Sequence, residues 1–315
     1  MAIERVCVVG AGVIGSLYAA HLARVLEVVV LTRRDEHARA LNERGLRVSG
    51  KSDFTARLRA TADPGELPDV DLAIVATKAT QLEEAAAQLA GRFPGAAVMT
   101  IQNGLGAEEL VRRYGSWPLI SAVTFMSGVR HDDAHVEYEL DTETWLGPFA
   151  GTASYEQARE VEALLASSGL NARAFPDLRP AQWSKLIFNA TVNTVSALTD
   201  LPHVGQFAAR ERPTDLGHLV HDLVEEGKAV AAAAEVGLHE DPWEMNMLAV
   251  RRGETLAAEG HYAHVPSMLE DVRAHRATEI DFITGALVRE AGKLGVPAPL
   301  HSAMYRLVKA REAAY

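Results

Sequence analysis

Cysteine is nearly absent: the 315 residues contain one, Cys7. A single thiol allows no internal disulfide. Its place inside an apolar β-branched run predicts a buried, inert group. Long uncharged apolar stretches are also missing, and none reaches the ~20 residues that a membrane-spanning helix needs. No basic N-terminal region leads into an apolar segment, so no secretory signal is expected. Positive charge is in deficit, with 31 Lys and Arg against 42 Asp and Glu, a formal net charge of -11. Nucleic-acid binders carry a basic face, so this balance argues against such a partner. It leaves room for a small anion in a locally basic pocket. The expectation is a cytoplasmic protein with neither a membrane nor a nucleic-acid partner. There is no low-complexity linker and no internal repeat, and the length allows two domains with separate cores.

What is present starts near the N-terminus. The apolar run Val6-Cys7-Val8-Val9 meets Gly10-Ala11-Gly12-Val13-Ile14-Gly15, and a helical pattern follows at once from Ser16 to Ala23. The order is strand, tight turn, helix. In the Gly-x-Gly-x-x-Gly turn of a dinucleotide site, the first glycine permits the turn. The second lets the backbone approach a pyrophosphate, and the third lets helix pack on strand. The helix N-terminus offers unpaired N–H groups and partial positive charge to phosphate. A second run, Val28-Val29-Val30-Leu31-Thr32, completes a βαβ unit. In an NAD site the second strand usually ends in a carboxylate that binds ribose hydroxyls. Here Arg33 and Arg34 follow Thr32. Guanidinium groups pair with a 2′-phosphate, which predicts NADP(H), read mainly by Arg33 with support from Arg34. The same pair also reads as two solvated arginines at a loop.

The pattern continues with a helix over Asp35 to Glu43 and strands around Leu46–Val48 and Phe54–Leu58. A buried strand spans Val70 to Ala76, an amphipathic helix Gln81 to Phe93, and a strand Ala97 to Ile101. Strand-like runs follow over Pro118–Phe125 and Val136–Leu146, then a helix over Ser154–Ser168. In open α/β sheets the ligand lies at the carboxyl ends of the strands. Lys78, after the 70–76 strand, and Asn103, in Gln102-Asn103-Gly104 after the 97–101 strand, therefore become candidates for a cofactor or substrate contact. A solvated lysine and a plain Asn-Gly turn remain equally open readings. Beyond Pro176 the strand pattern gives way to helix after helix. The expected organisation is α/β: a Rossmann NADP(H)-binding domain over 1–177, and an all-α substrate and catalytic domain over 178–315. The apolar faces of the helical half serve as core or as a homodimer contact, and the sequence admits both.

Within that half, Lys185, Asn189 and Asn193 recur at i, i+4, i+8 among apolar residues, which sets an ammonium and two carboxamides in one row on a helix. Such a row is costly unless a ligand or another helix satisfies it. A second segment holds Ser267, Asp271 and Glu279, all placed to point from one helix face. Glu279 is positioned to pair with Lys185 or to hold substrate hydroxyls, and a plain salt-bridged helix face explains the segment as well. His218 and His221, like His261 and His264, share helical spacing. No ordered third ligand accompanies them, so no metal is expected. Trp183 and Phe188 read as core.

These motifs together resemble the ketopantoate reductase (2-dehydropantoate 2-reductase) family over nearly the full chain. The resemblance rests on Gly10–Gly15, Thr77-Lys78-Ala79, Gln102-Asn103-Gly104 and the Trp183-x-Lys185…Asn189…Asn193 row with Ala197-Leu198 behind it. It rests equally on Ser267-Met268-Leu269-x-Asp271…Arg276-x-Thr278-Glu279-Ile280-Asp281. It implies NADPH-dependent reduction of 2-dehydropantoate to (R)-pantoate, a step towards pantothenate and coenzyme A. It implies that Lys185 is the catalytic lysine and Glu279 its partnering acid. Gly10, Ala11, Gly12, Val13, Ile14, Gly15, Arg33, Lys78 and Asn103 would then hold the cofactor, and Asn189, Asn193 and Ser267 the small 2-oxo acid substrate. The chain departs from the family pattern at His203 and His264, where many members carry Asn. These changes leave the hydride chemistry intact and open the substrate to another 2-oxo acid or ketone. A β-hydroxyacid dehydrogenase also sets Lys and Asn four apart, but the 267–281 segment argues against it. A non-catalytic NADP(H) sensor needs no proton donor.

Overall fold

A computed structural model describes residues 3–210, 215–258 and 265–315, and for 256–258 the backbone alone. The chain divides into two compact units, Met1–Gln102 with Ala107–Leu178 and Asn103–Gly106 with Arg179–Tyr315.

The first unit opens with β1 (Arg5–Val9), α1 (Val13–Leu22), β2 (Glu27–Leu31), α2 (Asp35–Arg44), β3 (Leu46–Gly50), β4 (Phe54–Ala56) and β5 (Arg59–Thr61). It continues through β6 (Leu72–Val75), α3 (Leu82–Leu89), β7 (Ala97–Thr100), α4 (Ala107–Val111) and β8 (Leu119–Thr124). It ends with β9 (Ser127–Asp132), β10 (His135–Leu140), β11 (Thr144–Pro148), α5 (Tyr155–Ser167) and β12 (Ala172–Ala174). Eight strands form one sheet in the order β12-β11-β8-β7-β6-β1-β2-β5, and β4-β3-β10-β9 form another. In the large sheet all neighbours are parallel except β11 and β8. The strand order reverses direction beside β1, between β2 and β6, which is the topological switch point of a doubly wound sheet.

Alternation explains why these strands lie inside. Val6, Val8, Val28 and Val30 pack on one face with Leu17 of α1 and Val161 of α5. Cys7, Val9, Val29 and Leu31 pack on the other with Leu82 and Leu89 of α3. Strands buried on both faces read as continuous apolar runs rather than as alternating ones. Cys7 is fully enclosed, and burial pushes its thiol up to about 12. Among the described residues no helix is long and apolar enough to cross a membrane.

Some expected elements differ in extent. The helix expected to run to Phe93 stops at Leu89. Pro94 follows Phe93 and denies it the right-handed α region, and Phe93 adopts φ 55°. The run Val136–Leu146 is two strands, β10 and β11, in different sheets. The edge strands β5 and β9 are not apparent from the sequence. β5 has three residues, and β9 carries the polar sequence SGVRHD with no alternating apolar face.

The second unit is helical: α6 (Arg179–Thr199), α7 (Asp215–Ala233), α8 (Pro242–Ala258), α9 (Ser267–Arg273), α10 (Thr284–Leu294) and α11 (Pro299–Glu312). Helix α6 touches every one of the other five. A helix surrounded on all sides is apolar nearly all round, and from Trp183 to Ala197 only Phe188 of α6 is not fully buried. Leu186, Ile187 and Ala190 pack with Met268 and Leu287, while Val192 and Val195 pack with Leu223 and Val250. The hydroxyls of Thr194 and Thr284 share a 2.7 Å hydrogen bond that joins α6 to α10.

Candidate active site

In the first unit the Gly10–Gly15 turn lies at the carboxyl end of β1. Gly10 has φ +97°, and a Cβ there would meet Thr77 at 2.9 Å. A Cβ on Gly15 would sit 1.9 Å from the Gly10 carbonyl oxygen, so α1 packs against the turn only with glycine there. At Gly12 a Cβ would meet nothing within 4 Å, so this stretch of backbone is open to approach. Helix α1 starts at Val13 without a side-chain cap, which leaves its first N–H groups for an external acceptor. The turn therefore combines a bare backbone with donors and a positive dipole end, and it suits a phosphate.

Arg33 and Arg34 follow β2, and both are exposed. They differ in their partners. Arg34 forms an ion pair with Asp133, in the turn between β9 and β10. Arg33 has no such pair among the described residues. Lys78 is exposed and immediately precedes a short 3-10 turn, Ala79–Gln81. Gln102 is a residue whose part the sequence did not reveal. Its Nε2 donates to the carbonyls of Val75 and Thr77, at 2.8 and 2.9 Å, and so binds the end of β7 to the end of β6.

The second unit gathers most of the remaining candidates. Lys185, Asn189 and Asn193 are 6%, 6% and 8% exposed, so the polar row is buried within the helical body. The four residues Asn103–Gly106 belong to this unit. Their attachment is backbone-deep: Leu105 N donates to Phe282 O at 3.0 Å. Gly104 has φ +95°, and a Cβ on it would lie 1.9 Å from that same oxygen. This places Asn103 between the row and Glu279. Asn189 Nδ2 donates to Asn103 Oδ1 at 3.5 Å, and Asn103 Nδ2 donates to Glu279 Oε2 at 3.2 Å. Burial pushes the Lys185 ammonium down to about 8, and the Glu279 carboxylate opposes that shift by favouring the charged form. The result is a buried amine that exchanges a proton near neutral pH, beside a carboxylate and two carboxamides oriented by one another.

The expectation that Ser267, Asp271 and Glu279 share one helix face is not met. Helix α9 ends at Arg273, and Glu279 sits in the turn segment beyond it. Ser267 is exposed at the start of α9, whereas Asp271 is buried and paired with Arg276 at 2.9 Å. The physical reason is the end of the helix before Thr278: Arg276 N bonds back to the Asp271 carbonyl and turns the backbone out of the helix. His203 is buried and shares a 2.9 Å hydrogen bond with Asn246, with the rings of Phe188 and Phe207 edge-on to it. Trp183 lies in the core. His261 and His264 lie outside the described residues. Among the described residues no group of three ligating side chains gathers around His218 and His221.

Comparison with known proteins gives a consistent picture. The profile of ketopantoate reductase PanE/ApbA matches residues 6–151, and that of its C-terminal part matches residues 177–312. A 2-dehydropantoate 2-reductase of Archaeoglobus fulgidus is 30% identical over 99% of each chain. The crystal structure of a PanE/ApbA family ketopantoate reductase from Ralstonia eutropha JMP134 is 28% identical, covers 99% of both chains and superposes with a TM-score of 0.83. A D-mandelate dehydrogenase in complex with NADH is 25% identical, with 99% coverage of each chain and a TM-score of 0.81.

The electrostatics of the buried amine are directly measurable. In NMR titration the Lys185 side chain should change protonation with a midpoint near 8. Glu279→Gln should move that midpoint lower, because it removes the charge that favours the ammonium. A wild-type midpoint in the ordinary lysine range of about 10.4 would contradict the burial account.

Proposed function

The chain belongs to the ketopantoate reductase family, oxidoreductases that act on CH–OH, and on that premise we propose that it reduces 2-dehydropantoate to (R)-pantoate with NADPH, with Lys185 as general acid. The observation that carries this reading is the buried Lys185 ammonium, brought down to about 8 beside Glu279.

In the first unit, the Gly10–Gly15 turn and the start of α1 are assigned to the pyrophosphate, and Arg33 to the 2′-phosphate. Arg33 is preferred over Arg34 because Asp133 already neutralises Arg34. Lys78 supplies further positive charge towards the cofactor, and Asn103, a residue of the second unit, a carboxamide. When bound, NADPH supplies the hydride that reduces the C2 carbonyl. In the second unit, Lys185 directs its ammonium at the carbonyl oxygen, stabilises the negative charge that accumulates there and gives up a proton to it. An ordinary lysine is a poor acid at neutral pH, and burial corrects that mismatch. Glu279 anchors a substrate hydroxyl and keeps Lys185 charged. Asn189 and Asn193 hold polar groups of the substrate without adding charge, and Ser267 contributes a hydroxyl at the start of α9.

A second reading is reduction of another 2-oxo acid within the same family. It is favoured by His203, which replaces a carboxamide with an imidazole committed to Asn246, and by the likeness to a D-mandelate dehydrogenase. Oxidation of NADPH with 2-dehydropantoate, set against alkyl- and aryl-substituted 2-oxo acids, separates the two by the ranking of kcat/KM.

Lys185→Ala should lower kcat by about 10²–10⁴-fold while the Kd of NADPH stays within a few-fold; a variant with kcat close to wild type would refute the acid role. Arg33→Asp should shift the ratio of kcat/KM for NADPH over NADH towards NADH by roughly 10- to 100-fold. An unchanged ratio would remove Arg33 from cofactor selection.

A further inference from the structure

Glu279 does not stand on a helix. It lies in the segment between α9 and α10, where no helical ladder fixes a side chain. Its own carbonyl accepts from Phe282 N and Ile283 N at 3.0 and 3.1 Å, which closes a turn on one side. Asn103 and Leu105 hold the segment from one direction, and α11 adds support from another. Tyr305, Lys309 and Glu312 recur at i, i+4, i+7 and so share one face of that helix.

This face grips the residues on both sides of Glu279. On the N-terminal side, Glu312 Oε1 accepts from both the backbone N–H and the hydroxyl of Thr278, each at 2.7 Å. The Thr278 hydroxyl in turn accepts from Ile280 N at 3.2 Å. On the C-terminal side, Asp281 Oδ1 accepts from the Tyr305 hydroxyl at 2.6 Å, and Asp281 Oδ2 from Lys309 Nζ at 3.1 Å. Lys309 also pairs with Glu312 at 2.9 Å, which joins the two halves of the grip. Burial pushes the Glu312 carboxyl up, but its bonds from Lys309 and Thr278 together bring it below its ordinary value. Glu312 therefore holds Thr278 as a carboxylate at neutral pH.

The two halves of the grip differ in exposure. The Lys309 and Asp281 side chains are 42% and 46% exposed, and a pair of that kind contributes little by itself. The Glu312 side chain is 12% exposed, and Thr278 and Ile280 are buried. Two charge-assisted bonds to one buried residue fix a backbone more firmly than a solvated ion pair. Thr278 is the residue immediately before Glu279, so its position sets where the Glu279 carboxylate points.

We propose that Glu312 is the positioning residue for Glu279: acting through Thr278, it holds the Glu279 carboxylate against Asn103 and within range of Lys185. This rests on the reading of Glu279 as the partnering acid. Tyr305 and Lys309 complete the hold from the other side through Asp281.

The test compares Glu312→Ala, Glu312→Gln, Thr278→Val and Glu279→Gln in the full-length protein. Glu312→Ala should raise KM for 2-dehydropantoate by about tenfold and lower the Lys185 NMR midpoint, with the Kd of NADPH within about twofold of wild type. Glu312→Gln keeps an oxygen that accepts from Thr278 and should recover most of both effects. Thr278→Val removes the hydroxyl's bond to Glu312 and the acceptor of Ile280 N, keeps the backbone bond to Glu312 and changes shape little, so it should reproduce part of the Ala phenotype even where Glu312→Ala fails to fold. Wild-type KM and Lys185 midpoint in both Glu312→Ala and Thr278→Val would overturn the proposal. So would a loss of NADPH affinity in step with KM at an unmoved midpoint, since that is general loosening. If Glu279→Gln itself leaves KM unchanged, the acid role of Glu279 fails, and the positioning role falls with it.

Discussion

The burial of one ammonium group constrains the second unit more than any other feature. Taking a lysine out of water disfavours its charged form, and α6 carries Lys185 into a body formed by five surrounding helices. A carboxylate with fixed orientation limits that cost, and Glu279 fills the role. A carboxylate buried to the same degree needs partners of its own, and Asn103 is one of them. Asn103 stays in place because Gly104 permits a left-handed turn close against the Phe282 carbonyl. The requirement of the ammonium thus passes by contact to the backbone of a four-residue segment, and by α11 to the turn that bears Glu279. Breaking one partner of such a group costs more than the bond alone, because it leaves a buried polar atom unsatisfied.

The first unit meets a different demand. It presents backbone rather than side chains: a glycine turn, an uncapped helix start and a sheet in which β1, β2, β6 and β7 are parallel and end on the same side. The arginine pair stands just beyond the end of β2, and the structure divides that pair. Asp133 pairs with Arg34, and Arg33 has no such ion pair among the described residues. Under the proposed NADPH reading, selectivity between two dinucleotides rests on Arg33, and affinity for the shared pyrophosphate on the main-chain geometry of the glycine turn.

Much of this was legible in the sequence because it is periodic. Continuous apolar runs marked the buried strands of the doubly wound sheet, and spacing of four placed Lys185, Asn189 and Asn193 in one buried row. The illegible parts are contacts between residues far apart in the chain. Asn103 meets Glu279 across 176 residues, and Arg34 meets Asp133 across 99; neither leaves a local pattern. The polar spacing that continues past Arg273 suggests that Glu279 shares the helix face, but the Arg276–Asp271 turn ends the helix first. The α11 row of Tyr305, Lys309 and Glu312 did leave a signal, an i, i+4, i+7 helical spacing comparable to the i, i+4, i+8 spacing of the α6 row. Nothing local shows that Thr278 and Asp281 lie against it.

The central claim is that the buried Lys185 ammonium donates the proton that completes reduction. The most direct measurement is kcat for 2-dehydropantoate reduction as a function of pH at saturating NADPH. The ammonium is held below its midpoint and lost above it, so the rate should be level at low pH and fall along a single limb centred near 8. A rate that stays level up to the ordinary lysine range of about 10.4 would contradict the account.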